Sequence, residues 1–447
     1  DLQPRGTARL LGAAIDIGTT SNVVYLVDMA GGQVLDTAST FNGQISCGED
    51  VISRIIYARR NGGLSHLQEL AADTLNQLLD ELCRRNGAQA RQIVRLAVAG
   101  NTTMIHLFLG IDPQWIRLEP YIPTVNQPLP VRAVELGLHA HPEAQVDCLP
   151  SVGAYVGADI TAGVLSSEMC RTEKLTLFID VGTNGEIVLG NADWLISCAC
   201  SAGPAFEGAG VQSGMRAVPG AIDEVWINPR TYEPTIRTIG DRPARGICGS
   251  GMISALAEMF LSGVIDKAGR LNRSLNTPRI RDGEHGPEYL FATADQQAGV
   301  PDDVVLTEVD IANLLRAKGA IYAGFSVLTR SVGISLADVE QVLIGGSFGK
   351  YINIEKAITI GLLPDMPWER FRYLGNTSVR GAYQVLLSRE LRRELTEIAQ
   401  RMTYLELSAD NSFMEEFTSA LFLPHTDETA FPSVAKLLRQ GKGELQA

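Results

Sequence analysis

The sequence predicts an α/β protein built by duplication, with two halves that each carry a mixed sheet. Three observations lead there. An apolar run, Ala13-Ala14-Ile15, ends in Asp16; a tight Gly18-Thr19-Thr20-Ser21-Asn22 loop follows, and a second apolar run from Val23 to Val27 ends at Asp28. The unit returns as Leu175 to Asp180, Val181-Gly182-Thr183-Asn184-Gly185-Glu186 and Ile187 to Gly190, so that aligning Asp16 with Asp180 aligns the glycines and first threonines. After each hairpin, helical and strand patterns alternate, as in layered α/β folds.

Composition narrows the class. A chain of 447 residues with 45% apolar content is ample for a buried core and too long for one compact core. The formal net charge of −13 disfavours nucleic acid, because an acidic chain gains nothing from counterion release. No apolar run approaches the ~18–20 residues that span a bilayer, and no signal-peptide pattern opens the chain. A cytoplasmic protein with no membrane partner is expected. Seven cysteines at irregular spacing, with no Cys-x-x-Cys pair, encode neither a disulfide scaffold nor a complete iron–sulfur site.

The elements follow in order. Residues 1–11 read as a lead-in, 12–170 as a first subdomain and 171–447 as a second, its C-terminal helix a candidate to pack back on the first. Strand, loop and strand run from Ala13 to Val27, and Gly31-Gly32 turns into a third strand, Val34 to Thr40. Asp50 to Tyr57 is a short helix. Ser65 reads as the N-cap of a helix from His66 to Arg85, whose leucines keep helical spacing. Ile93 to Ala99 is a buried strand ending in Gly100-Asn101-Thr102-Thr103, and Met104 to Leu109 is a helix. Residues 111–150 are proline-rich and irregular. Asp159 stands at the start of a helix from Ile160 to Glu168.

In the second half, Trp194 to Ala199 gives a third strand. The glycine-rich stretch from Ser201 to Gly220 reads as a loop that wraps something or lies close to other backbone. Gly249-Ser250-Gly251 precedes a helix, Met252 to Leu261. Residues 269–304 are polar and turn-rich. A long helix runs from Asp310 to Val332, and a buried strand from Val339 to Ile344 ends in Gly345-Gly346-Ser347-Phe348-Gly349. Another long helix is expected from Val379 to Gln400.

The two loops suit polyphosphate. Gly18 and Gly182 permit tight turns in which backbone N–H groups converge on an anion. Thr19, Thr20, Ser21, Asn22, Thr183 and Asn184 add side-chain hydrogen-bonding groups. Asp16 and Asp180 would be repelled by phosphate unless a cation intervened, which points to Mg²⁺ held by these carboxylates through water. Gly345, Gly346 and Ser347 would let backbone approach a flat ligand such as adenosine. Gly249, Ser250 and Gly251 open a helix whose N-terminus suits a phosphate or ribose oxygen. For activating water, Asp159 is the first candidate, with helix capping as its alternative role, and Glu207 is the second.

The hairpins at Asp16 and Asp180 resemble the two phosphate motifs of the acetate and sugar kinase, heat-shock chaperone and actin superfamily. Ile344 to Gly349 is similar to its adenosine motif. Ser151 to Glu168 and Asp310 to Val332 resemble its two connecting helices. The segments Gly100-Asn101-Thr102-Thr103-Met104, Ser201 to Gly210, Gly214-Met215-Arg216-Ala217 and Gly375-Asn376-Thr377-Ser378 narrow this to the ATPase domain of reductive activators of corrinoid proteins.

That resemblance implies a duplicated actin-like, ribonuclease H-like ATPase fold with the two phosphate loops opposite each other across a nucleotide cleft. It implies ATP and Mg²⁺ as ligands and a corrinoid protein as partner, whose inactive Co(II) is returned to Co(I). Members of this family carry an iron–sulfur domain as electron donor. Here a [2Fe-2S] cluster is expected only on an N-terminal domain outside this sequence, or on a separate donor protein. A homodimer is a candidate assembly. The alternative function is a small-molecule kinase of the same superfamily acting on a sugar or a carboxylic acid, and a third is a nucleotide switch or filament.

Overall fold

The computed structural model describes residues 9–182, 184–294, 302–346 and 352–446. The chain opens with β1 (Leu11–Ile17), β2 (Ser21–Asp28) and β3 (Val34–Phe41), an antiparallel meander. Next come α1 (Val51–Ala58), α2 (Gly63–Arg85), β4 (Ile93–Gly100), α3 (Thr102–Leu109), β5 (Val131–Arg132), β6 (Gln145–Cys148) and α4 (Ala158–Ser167). The repeat begins with β7 (Thr176–Val181), β8 (Gly185–Gly190) and β9 (Leu195–Cys200). An excursion follows: β10 (Ala221–Ile227), β11 (Pro234–Thr238), β12 (Gly246–Ile247), α5 (Gly249–Leu261), β13 (Ile280–Gly283), β14 (Gly286–Ala292) and β15 (Val304–Thr307). The chain then forms α6 (Glu308–Ser331), β16 (Gln341–Gly345), α7 (Ile354–Thr359), β17 (Phe371–Gly375), α8 (Thr377–Leu387), α9 (Arg389–Arg401), β18 (Met402–Tyr404), α10 (Asn411–Ala420) and α11 (Pro432–Gln446).

Sheet order shows the duplication directly. One sheet runs β3-β2-β1-β4-β6-β5 and another runs β17-β16-β7-β8-β9-β18. Read from the third strand of each meander, the orders β3-β2-β1-β4-β6 and β9-β8-β7-β16-β17 are the same. β1 pairs antiparallel with β2 and parallel with β4, the mixed pairing expected of this pattern. Two three-stranded sheets, β11-β10-β12 and β13-β14-β15, come from residues 221–247 and 280–307. The reading of 269–304 as turn-rich missed the second of these.

The chain forms two compact units. The first takes the described residues up to Phe178, Val188–Cys198 and Asn376–Leu405; the second takes Ile179–Ile187, Ala199–Gly375 and the described chain from Glu406. In the first unit, β1, β2 and β4 bury Ile15, Ile17, Val24, Leu26, Leu96 and Val98 against the leucine face of α2, with Met104, Leu107 and Phe108 of α3. In the second, α5 packs on β10, and α6 packs along α10.

Four local expectations change. α2 begins at Gly63 behind Gly62, whose φ of 73° suits glycine, so Ser65 lies inside the helix and does not cap it. Asp159 is likewise inside the first turn of α4, and Gly157 is its N-cap. The helix expected from Val379 to Gln400 is two helices: Ser388 turns extended and caps α9 by accepting from the Leu391 amide at 3.2 Å. Finally, α8 follows β17 as α4 follows β6, while α6 precedes β16 as α2 precedes β4. The counterpart of α4 is therefore α8, not α6, and the two pack together within the first unit.

Candidate functional site

In the first unit, β1 ends at the hairpin carrying Asp16. The pairing Asp16↔Val23 and Ile17↔Asn22 leaves Gly18 to Ser21 to turn the chain. The Gly18 amide donates to the Ser21 carbonyl at 3.1 Å. A Cβ on Gly18 would lie 2.5 Å from that carbonyl oxygen, so the turn admits only glycine.

The loop carbonyls are held from one side. The Asn42 side chain donates to Gly18 O at 2.8 Å, Arg54 donates to Thr19 O at 2.5 Å, and the Asn42 amide donates to Thr20 O at 3.0 Å. In a trans peptide the C=O and the next N–H point opposite ways. The amides of Thr19 and Thr20 are therefore turned away from that side, as an anion-binding loop requires. Asn101, the N-cap of α3, donates to Thr19 Oγ1 at 2.9 Å. A Cβ on Gly157, the N-cap of α4, would lie 2.4 Å from Asn101 Cα. The N-cap of the helix that carries Asp159 thus lies against the residue that steadies the loop. Asn22 is fully buried, and neither atom of its amide has a partner among the described residues.

Asp16 is clamped by the start of α8. Ser378 Oγ donates to Asp16 Oδ1 at 2.7 Å and Asn376 Nδ2 donates to Oδ2 at 2.8 Å. Asn376 is also the N-cap of α8, accepting from the Val379 amide at 3.0 Å. Burial raises the Asp16 pKa, and the Asn376 and Ser378 hydrogen bonds pull it back. Burial, and then the charge of Asp16, raise the pKa of the Tyr25 phenol.

In the second unit, the Gly182 amide donates to Asn184 O at 2.9 Å, closing a turn one residue shorter than that from Gly18 to Ser21. The position of a Cβ on Gly182 lies 3.7 Å from Glu207 Oε1. Gly346 adopts φ 87°, and a Cβ there would stand 2.8 Å from Asp180 Oδ1 and from the Val181 carbonyl. Tyr373 donates its hydroxyl to the Gly346 carbonyl at 2.8 Å. Asp180, Gly182, Glu207 and Gly346 thus gather at the end of β7, with Gly345 closing β16 beside them. Burial lowers the pKa of the Arg216 guanidinium, and the Glu207 charge opposes that. Arg216 was no candidate from sequence beyond its place in a family segment. Thr183, and Ser347 with Phe348 and Gly349, lie outside the described residues.

Gly249, Ser250 and Gly251 open α5 as read, but they are buried against the small sheet. A Cβ on Gly251 would lie 2.1 Å from the Ile222 carbonyl, so packing on β10 by itself requires glycine there. All seven cysteines are free thiols, and six are buried. Among the described residues no three His, Cys, Asp or Glu side chains gather in a metal-holding group. No described helix is long and apolar enough to cross a membrane.

The duplicated sheet order and the paired Asp-x-Gly-Thr hairpins define an actin-like ATPase fold. The model described as the RACo middle region matches residues 11–172, and that described as the C-terminal domain of RACo, the ASKHA domain, matches 174–435. The chain belongs to this family of reductive activators of corrinoid proteins. It is 35% identical over 415 residues to the corrinoid activation enzyme RamQ of Eubacterium limosum, covering 91% of this chain and 69% of that one. It is 27% identical over 440 residues to the Co(II) methylated amine-specific corrinoid protein reductase of Methanosarcina barkeri, covering 90% and 75%. A solved reductive activator for corrinoid, iron–sulfur protein shares 49% identity and superimposes with a TM-score of 0.91 over 97% of this chain and 69% of that one.

Proposed function

We propose that this chain is the ATP-hydrolysing part of an activator that returns a corrinoid protein from Co(II) to Co(I). The observation that carries the reading is the pair of adjoining family matches, residues 11–172 and 174–435, over a fold whose Asp16 loop turns its amides away from the side that holds its carbonyls. Each hairpin takes phosphate: Gly18 to Ser21 with Asn22 behind them in the first unit, and Gly182 to Asn184 in the second. Gly345, Gly346 and Ser347 serve the adenosine. Gly249, Ser250 and Gly251 contribute less directly, by packing.

The residues fit Mg²⁺. Asp16 accepts one hydrogen bond on each oxygen and keeps lone pairs for a hydrated cation, and Asp180 and Glu207 stand at the second hairpin. Bound at either hairpin, the ion would neutralise charge on the phosphate oxygens. Glu207, near Gly182, and Asp159, in the first turn of α4, are the candidates that orient and deprotonate water. ATP and water become ADP and phosphate, and the two states of the chain must differ in affinity for the corrinoid partner if hydrolysis is to drive reduction. The residues described here do not fit an iron–sulfur cluster, so the electron comes from a domain or protein beyond them.

The test mixes this chain, MgATP, a low-potential reductant and candidate corrinoid proteins, and follows the cobalt visible spectrum. An ATP-dependent Co(I) band supports the reading. Its absence with every partner, together with ATP turnover that rises with a sugar or a carboxylic acid, would establish the kinase alternative.

A further inference from the structure

Arg54 lies on α1, fully buried, and every acceptor of its hydrogen bonds is neutral. Its Nε donates to Gly48 O at 2.9 Å, one terminal nitrogen to Thr19 O at 2.5 Å, and the other faces Gln44 Oε1 at 3.3 Å and Met104 Sδ at 3.1 Å. No described carboxylate pairs with it. The acidic influences on it are Asp50 and, more weakly, the Cys47 thiol, and Asp50 is already engaged by the Ser53 amide and hydroxyl at 2.7 and 3.0 Å. Burial pushes the guanidinium pKa down to about 10, which still leaves it charged at neutral pH.

A buried charge without a counter-charge is costly unless something completes it. The side chain is locked by the 3₁₀ turn Gly43–Cys47, where Gln44 also donates to the Leu67 carbonyl at 2.8 Å. Its contact is with the carbonyl of the Thr19–Thr20 peptide, whose amide points the opposite way. A cation on that carbonyl polarises the peptide and makes the Thr20 N–H a stronger donor.

We propose that Arg54 is the electrostatic backing of the phosphate loop, a positioning residue whose uncompensated charge is completed by the polyphosphate of the nucleotide on the other side of the Thr19–Thr20 peptide. This rests on the nucleotide reading of the Asp16 hairpin. It differs from ordinary phosphate recognition because the arginine never touches the ligand. Its influence passes through one peptide group and falls with the ligand's negative charge.

The experiment measures binding of MgATP, inorganic tripolyphosphate and adenosine by calorimetry to wild type, Arg54→Met and Arg54→Lys, with thermal melts to establish folding. Wild type that binds none of the three probes overturns the nucleotide reading itself. Given wild-type binding, Arg54→Met should weaken ATP and tripolyphosphate by about tenfold or more and leave adenosine within about twofold. Arg54→Lys, which keeps the charge and loses the fork, should retain most of the ATP affinity. Equal ATP affinity in folded Arg54→Met overturns the proposal, as does parallel loss of ATP and adenosine. Should Arg54→Met fail to fold, the lysine variant decides: adenosine and ATP lost together defeats the proposal, and ATP retained supports it.

Discussion

Ser378 places its hydroxyl 2.7 Å from Asp16 Oδ1 although the two residues stand 362 positions apart. With Asn376 on the other oxygen, the carboxylate at the end of β1 takes its geometry from the first turn of α8.

Ser378→Ala should therefore impair ATP hydrolysis by releasing one oxygen of Asp16. Burial already raises the Asp16 pKa and Ser378 opposes it, so the variant's pKa rises further and the acid limb of the pH–rate profile moves to higher pH. Unfolding free energy should fall by about 1.5–3 kcal/mol, the range for a hydrogen bond to a charged acceptor. An unshifted acid limb would remove Asp16 from that limb. Asp16→Ala should abolish hydrolysis in a chain that still folds.

Gly381→Ala tests the contact between α4 and α8. Helix propensity alone would favour alanine by about 1 kcal/mol. A Cβ at this position, however, would lie 2.3 Å from Ala162 O and 2.7 Å from its C and Cα, all backbone that cannot swing aside. The clash should win, costing about 1–3 kcal/mol or more in a denaturant melt. ATPase activity should fall with it, because α8 carries Asn376 and Ser378.

Acid should loosen the second unit through Glu416. The close approach of the His425 ring, with Arg330 and Ser326, holds its carboxyl down at about 2 against burial. Arg330 donates to it at 2.8 Å, and the His425 Nε2 stands 3.5 Å away. A depressed carboxyl gives stability that is present above its ordinary value and lost as pH falls through the folded one. The affected window runs from 4.5 down to about 2. The loss should reach up to about 3 kcal/mol. Glu416→Gln should be less stable at neutral pH and should flatten the slope of stability in that window.

Lys318→Met probes a buried amine. Lys318 lies on α6 and donates to Phe422 O at 2.6 Å and Pro424 O at 2.7 Å, and burial drives its pKa well below the usual lysine value. The variant orphans both carbonyls, at about 1–3 kcal/mol each. Hydrogen exchange should speed up from Leu421 to His425 before it changes in β10.

Both hairpins were legible because tight glycine turns after an aspartate that closes a buried strand leave a strong local signature, and they did so twice. Partnership was not. α6 is the longer helix and invited the connecting role, yet the sheet order gives that role to α8, and periodicity carries no record of which helix a face will meet. The strands around Trp226 and Tyr289 are short and interrupted by turns, so their alternation is weak. Ser388 breaks a helix whose residues on both sides favour helix, and its capping of Leu391 is visible only when the backbone turns extended. Arg54 had a signal that was available: with Val51, Ile55 and Ala58 it falls on the apolar stripe of α1, where a charge has to find partners inside.

The clamp on Asp16 also has a consequence in time. At roughly 5–20 residues per second, the ribosome needs roughly 20–70 s to travel from Asp16 to Ser378. Through that interval the first meander can pair its strands, but its aspartate has neither of its two donors. A chain cut short anywhere before α8 would keep the Gly18 turn, Asn42 and Arg54 and still hold Asp16 in the wrong setting. Competence for ATP chemistry would then arrive late and all at once, and incomplete chains would remain idle.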